Sequence, residues 1–308
     1  MTRLRPLLAA AAVLALGAVT GCTARADDAA DGRLRIVTAF YPLQFLAQRL
    51  GADQPTVGNL TKPGAEPHDV ELSPRQVGQI ADADVVAYLK GFQPAVDQAV
   101  ALEARGRAFD AATAVPLLPL GGTDAEAGEE PARLSGGMDP HVWLDPQRFA
   151  TIGDGLAARL GQADPAHAAD YTARAAALRR DLGTLDSEYA SGLATCARRE
   201  IVTSHSAFGY LARRYGLTQV GITGVTPESE PSPRRLAGAA AEAQRTGATT
   251  IFFETLVSPK VAETVARDVG ARTAVLDPLE GLTEPGEDYF SVMRRNLTTL
   301  RTGLGCTS

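Results

Sequence analysis

The chain has 308 residues, of which 45% are hydrophobic and 21% charged, with 30 basic against 36 acidic side chains and a net charge of −6. That balance excludes a disordered or collagen-like chain and a polytopic membrane protein, and it speaks against a nucleic-acid binder, which usually carries a basic excess. The length suggests about two domains, enough to bury sizeable cores.

Residues 1–21 read as a signal peptide. Arg3 and Arg5 precede an apolar run from Leu7 to Val19, shorter than the roughly 20 residues a membrane-spanning helix needs. The run ends in Val19-Thr20-Gly21-Cys22, a pattern of small residues before a cysteine that resembles a bacterial lipobox and marks Cys22 for lipidation. Residues 22–33, rich in Ala and Asp, then form a tether. Cys196 and Cys306 remain as a pair in an oxidising compartment. They suggest a disulfide, against the alternative of two free thiols.

Strands and helices alternate along the body. The expected elements are a strand at 34–38, a helix at 42–50, a strand at 56–60, a helix opened by Ser73-Pro74, a strand at 84–89, a helix at 94–103, and a helix from Asp145-Pro146 to about 160. A glycine-rich acidic segment, 121–137, interrupts them as an exposed loop. Asp164-Pro165 opens a stretch rich in Ala, Leu, Arg and acidic residues, read as one helix of about 30 residues ending near Thr195, roughly 45 Å long. Alternation then resumes: a strand at 200–203, a helix at 207–215, a strand at 217–222, a helix capped by Ser232-Pro233, a strand at 249–253, a helix capped by Ser258-Pro259, a strand at 272–276 and a helix at 288–300. The expected class is α/β, with two lobes of parallel sheet flanked by helices and joined by a long helix: 34–162, a linker at 163–195, and 196–308.

Only four histidines occur, and three stand in loops that lead into helices. His68 lies in Glu66-Pro67-His68-Asp69, His141 in Asp139-Pro140-His141-Val142-Trp143-Leu144-Asp145-Pro146, and His205 in Thr203-Ser204-His205-Ser206. Any one of them could be a polar loop residue or a capping partner. His167, in the first turn of the long helix, reads as a surface residue. Ligands in open α/β sheets bind beyond the carboxyl ends of strands, and neutral imidazole is the commonest metal ligand. Two carboxylates, Glu254 and Asp277, end apolar strands and need a cation or hydrogen bonds to offset their desolvation. Three imidazoles and one carboxylate make a four-coordinate site.

With these motifs together, and with Thr-Ser-His-Ser-Ala-Phe-Gly-Tyr-Leu and Leu-Asp-Pro-Leu, the chain from about 34 to 306 resembles the metal-binding lipoproteins of bacterial ABC importers for zinc and manganese. The resemblance implies a rigid helix between two lobes, with the metal in the cleft between them. His68 and His141 would be ligands from the first lobe, and His205 and Asp277 from the second. Glu254 would orient a ligating imidazole or substitute as a ligand.

The implied function is extracytoplasmic capture of Zn2+ and delivery to a permease with its own ATPase subunit. The protein would be a lipid-anchored monomer on the outer face of the cytoplasmic membrane, or on the periplasmic side in a two-membrane cell. Mn2+ is the alternative cargo, disfavoured because imidazole suits zinc better. The acidic segment 121–137 lacks the histidines that many zinc-importer proteins carry there. A zinc hydrolase would need an open coordination position and a local motif such as HExxH, which the sequence does not show. No feature speaks specifically for a surface adhesin. The chain contains no P-loop, so the energy for transport must come from a partner.

Overall fold

The computed structural model describes residues 33–120, 137–227 and 230–307. The signal segment, Cys22, most of the tether and nearly all of the acidic segment lie outside the described residues. Among the described residues, no helix is long and apolar enough to cross a membrane.

The first half builds a four-stranded parallel sheet from β1 (Arg35–Thr38), β2 (Thr56–Asn59), β3 (Val85–Tyr88) and β4 (Ala108–Asp110), in the order β2-β1-β3-β4. Its helices are α1 (Tyr41–Gly51), α2 (Pro74–Asp82) and α3 (Pro94–Glu103). The second half repeats the plan with β5 (Glu200–Thr203), β6 (Thr218–Gly221), β7 (Thr250–Phe253) and β8 (Arg272–Val275), in the order β6-β5-β7-β8. Ile36 pairs with Val57 on one side and Val85 on the other. Val202 takes the same central place between Val220 and Ile251. Both central strands are short apolar runs buried on two faces, as parallel sheets require.

Local chemistry sets the helix starts. Ser73 and Gln76 form a reciprocal capping box at α2, and Asp145 accepts the Gln147 and Arg148 amides at α4 (Pro146–Ala163). Proline holds the first helical position in both. The long helix, α5 (Ala168–Gly192), has 25 residues, about 38 Å. It is shorter than the sequence suggests because Pro165–His167 form a separate 3-10 turn and the helix stops at Gly192. Its buried positions, Tyr171, Ala175, Leu178, Leu182, Leu185 and Tyr189, recur at helical spacing.

Helix α5 is fixed to both halves. Arg174 donates to the Leu50 carbonyl at the end of α1 (3.1 Å). Tyr189 donates to the Met293 carbonyl (2.6 Å) in α9 (Tyr289–Leu304). One hydrophobic cluster runs from the first sheet through α5 to residues of the second half such as Ile201, Phe252 and Leu300. A smaller cluster, Val202, Ile222, Ala239, Ala243, Ile251, Ala262, Val265 and Ala266, packs α7 (Pro233–Thr246) and α8 (Lys260–Val269) onto the second sheet. The short helix α6 (Gly209–Arg214) follows β5.

The expected disulfide joins Cys196 to Cys306 across 110 residues. It ties the stretch before β5 to the end of α9, at the amino end of the second sheet.

Candidate metal centre

The carboxyl ends of the strands bring three histidines together. His68 lies in the loop between β2 and α2, where Gln93 holds the preceding Pro67 carbonyl (3.0 Å). His141 begins the 3-10 turn Val142–Leu144, which leads into Asp145 and α4. His205 lies two residues beyond the end of β5. Their ring centroids lie 5.3–6.1 Å apart, and none is more than 8% exposed.

A carboxylate sits among them. Glu280, fully buried, places Oε1 3.0 Å from His141 Nε2 and 3.4 Å from both His68 Nε2 and His205 Nε2. One ligand atom from each of His68, His141, His205 and Glu280 lies within 4.8 Å of all the others. His141 Nε2, His205 Nε2 and Glu280 Oε2 are buried without a hydrogen-bond partner. Buried polar atoms are ordinarily paired. The His141 and His205 Nε2 atoms are lone-pair donors in the neutral tautomers, and with His68 Nε2 they surround Glu280 Oε1; such a set fits a cation.

The far side of two rings fixes those tautomers. His141 Nδ1 lies 2.8 Å from Asp139 Oδ1, and His205 Nδ1 lies 2.7 Å from Glu254 Oε1. An Nδ1–H donated to a carboxylate leaves Nε2 as the free donor and raises its basicity. Glu254 therefore stands behind His205, outside the four converging groups. Asp139, two residues before His141, does the same for the other ring. It falls within the Asp-Pro-His motif, where its spacing was the available signal.

Charge on these side chains follows from this packing. Burial lowers the His68 pKa below its ordinary value, with Glu280 opposing. Burial also works against His141, but Asp139 and Glu280 outweigh it and raise the pKa. His205 is raised well above the ordinary value, because Glu254 and Glu280 together overcome the burial. Burial alone would raise Glu280, yet the three imidazoles hold it well below the usual carboxylate range.

The carboxylate that lies among the three imidazoles is Glu280, whereas the sequence points to Asp277. Asp277 is buried at the end of β8, but its carboxylate is engaged elsewhere. Oδ1 accepts the Leu279 amide (2.8 Å), and Oδ2 accepts the Thr255 hydroxyl (3.3 Å) and faces Arg295 (3.5 Å). The turn this makes carries the chain three residues further and delivers Glu280 into the cleft. His167 pairs with Asp164 (2.6 Å) at the start of the long helix, apart from the cluster.

Buried links between the halves surround the centre. Trp143 Nε1 donates to the Pro278 carbonyl (2.7 Å), and Tyr289 donates to the Trp143 carbonyl (2.7 Å). Tyr210 donates to the Asp139 carbonyl (2.8 Å) and accepts the Leu118 amide (2.7 Å). A cavity of about 290 Å³ opens beside Glu280, between α1 and the segment after β8, with Tyr41, Gln44, Lys62 and Asp288 in its walls.

Residues 36–303 match the profile of the family described as ZnuA, the periplasmic component A of a zinc-uptake complex. The chain belongs to this family. The high-affinity zinc uptake system protein ZnuA of Bacillus subtilis is 32% identical over 309 residues, covering 97% of this chain and 96% of that protein. The zinc-binding protein AdcA of Streptococcus pyogenes serotype M6 is 37% identical over 289 residues, covering 88% of this chain and 56% of that protein. The chain thus spans little more than half the length of the AdcA relatives it matches.

Among solved structures, the Zn(II)-bound ZnuA-like domain of Streptococcus pneumoniae AdcA is 34% identical with a TM-score of 0.73, covering 89% of this chain and 99% of that one. The laminin-binding protein Lmb of Streptococcus agalactiae, described as having adhesin and metal-transporting activity, is 31% identical with a TM-score of 0.78, covering 88% and 99%. The family is one of solute-binding proteins, and its members serve transporters of the ABC type.

Proposed function

We propose that this chain captures Zn2+ as cargo at His68, His141, His205 and Glu280 and hands it to an ABC-type permease driven by a separate ATPase subunit. The single observation that carries this reading is the buried cluster of three imidazoles and one carboxylate whose ligand atoms lie within 4.8 Å of one another. Three nitrogen donors and one oxygen donor suit tetrahedral zinc, whereas manganese prefers more oxygen donors. The zinc named in the relatives' descriptions points the same way.

Four protein ligands close the coordination sphere and leave no position at which zinc could activate water, so the site stores and releases rather than catalyses. The protein acts as a monomer, tethered through lipid at Cys22 outside the cytoplasmic membrane.

Trp143, the one tryptophan of the chain, lies with its ring 5.3 Å from that of His141 and reports on the site. The test is a titration of the chain from Thr23 onward with zinc and with manganese, each against a chelator, followed by Trp143 fluorescence. The expected result is one equivalent of zinc bound far more tightly than manganese, with His205→Ala and Glu280→Ala both weakening it. Equal weak binding of both metals, or wild-type affinity in both variants, would overturn the reading. Delivery is tested by zinc uptake in cells that express the chain with its cognate permease and lack other zinc importers.

A further inference from the structure

Between the last strand and Glu280 the backbone makes one short, heavily braced turn. Leu276 closes the β8 ladder by donating to the Phe253 carbonyl (2.8 Å). At the next residue Asn296, from α9, replaces the missing strand neighbour. Its side-chain oxygen accepts the Asp277 amide (3.0 Å), and its NH2 donates to the Asp277 carbonyl (2.7 Å). A primary amide is the side chain that offers both a donor and an acceptor in one plane for this purpose.

The Asp277 carboxylate then accepts the Leu279 amide, closing a local turn. Leu279 takes φ +61°, a left-handed conformation that a bulky side chain adopts only when its surroundings impose it. Asp277, Leu279 and Asn296 are all at most 2% exposed. Trp143 holds the Pro278 carbonyl from the other half.

We propose that Asp277 and Asn296 are positioning residues that fix the reach of Glu280 and so set how tightly the centre holds zinc, an inference that rests on reading the cluster as a zinc site. Neither touches the ion. Asp277 spends its carboxylate on bending the chain, and Asn296 pins the residue from which the bend starts. A ligand on so short a turn has little freedom to follow a misplaced ion, and sites of this kind depend on the groups that support them.

The experiment is a double-mutant cycle on zinc affinity, with competition against a chelator and Trp143 fluorescence as readout. Zinc binding by the wild-type chain and its loss in His141→Ala test the zinc reading separately. If that reading fails, this one falls with it. Given both results, Asp277→Ala and Asn296→Ala are each expected to weaken zinc by about 10- to 100-fold, the range found for groups that orient metal ligands. Asp277→Asn keeps an oxygen for the Leu279 amide and is expected to recover most of the loss. In a Glu280→Ala background neither substitution should weaken zinc further, because the effect travels through Glu280.

Equal losses with and without Glu280 would overturn the proposal and make both residues part of the general fold. A loss in Asp277→Asn as deep as in Asp277→Ala would overturn it too and make the Asp277 charge a direct ligand. Thermal melts of each variant establish folding. Should Asp277→Ala not fold, Asn296→Ala carries the cycle alone.

Discussion

Zinc and protons compete for the same nitrogen atoms, and the packing around them determines over which pH range they do so. The perturbation is a pH series from about 8 to 5, the span over which histidine changes charge. His141 and His205 are both held above their ordinary pKa by carboxylates, Asp139 and Glu280 for the first and Glu254 and Glu280 for the second. Each therefore carries a proton at pH values where a free imidazole has lost it. Zinc must expel both.

Below both pKa values each expelled proton weakens binding tenfold per pH unit, so two give about 100-fold per unit, or about 2.7 kcal/mol. His68, lowered by burial, joins only at the acid end. The sign is fixed: affinity rises with pH and continues to rise above pH 6.5, where unperturbed imidazole would already be neutral. The assay is competition against a chelator of known protonation behaviour at each pH, read by Trp143 fluorescence. An affinity that levels off above about pH 6.5 would refute the argument that Glu254, Asp139 and Glu280 hold protons on the apo rings. Glu280→Gln removes the charge shared by all three rings, so its curve should be shallower as well as weaker.

Further outcomes follow from the same contacts. The zinc-free chain should lose stability as pH rises through the raised pKa values of His141 and His205, since the unfolded chain gives up those protons earlier. Saturating zinc, which expels those protons, should remove that slope and make stability rise with pH only below the ordinary histidine range, and thermal melts at several pH values measure both. Trp143→Phe keeps a ring against Phe40 and Phe92 but leaves the buried Pro278 carbonyl unpaired. It should cost about 1–3 kcal/mol in denaturant unfolding and loosen zinc. Gly303→Ala would bring a methyl group within 2.6 Å of the Phe252 ring, and overpacking of that kind costs about 1–3 kcal/mol with zinc affinity preserved. Replacing Cys196 and Cys306 together with serine should cost about 2–5 kcal/mol of stability. Because the bridge lies at the amino end of the sheet, zinc titration should remain at wild-type values.

Much of the fold was legible because its signals are local. The short β-branched and apolar runs became strands, and Ser73-Pro74, Asp145-Pro146 and Ser232-Pro233 capped helices as their side chains predict. Ser258 follows the rule only loosely: α8 begins after Pro259, one residue later than expected, and the Ser258 hydroxyl accepts the Lys260 amide at 3.5 Å. The strand β4 was missed because it has three half-buried residues at a sheet edge, too few for alternation to register.

The three histidines were legible from their matching places in loops before helices. Glu280 was not. A carboxylate immediately after an apolar strand looks like the ligand, and only the three-dimensional turn, with Leu279 left-handed, shows Asp277 facing Thr255 and Arg295 while Glu280 enters the cleft. Asp139 and Glu254 could be seen as acids near histidines, but which ring nitrogen each grips is decided by tertiary contacts.

The near-complete burial of the four donors has a kinetic consequence. A cation held where no donor is more than 8% exposed would meet incoming water at few of its ligands. Its dwell time is set by how often the surrounding loops part, a rate governed by packing as much as by bond strength. His68, the most accessible of the four and carried on the loop that Gln93 fastens, is the donor from which such an opening would begin.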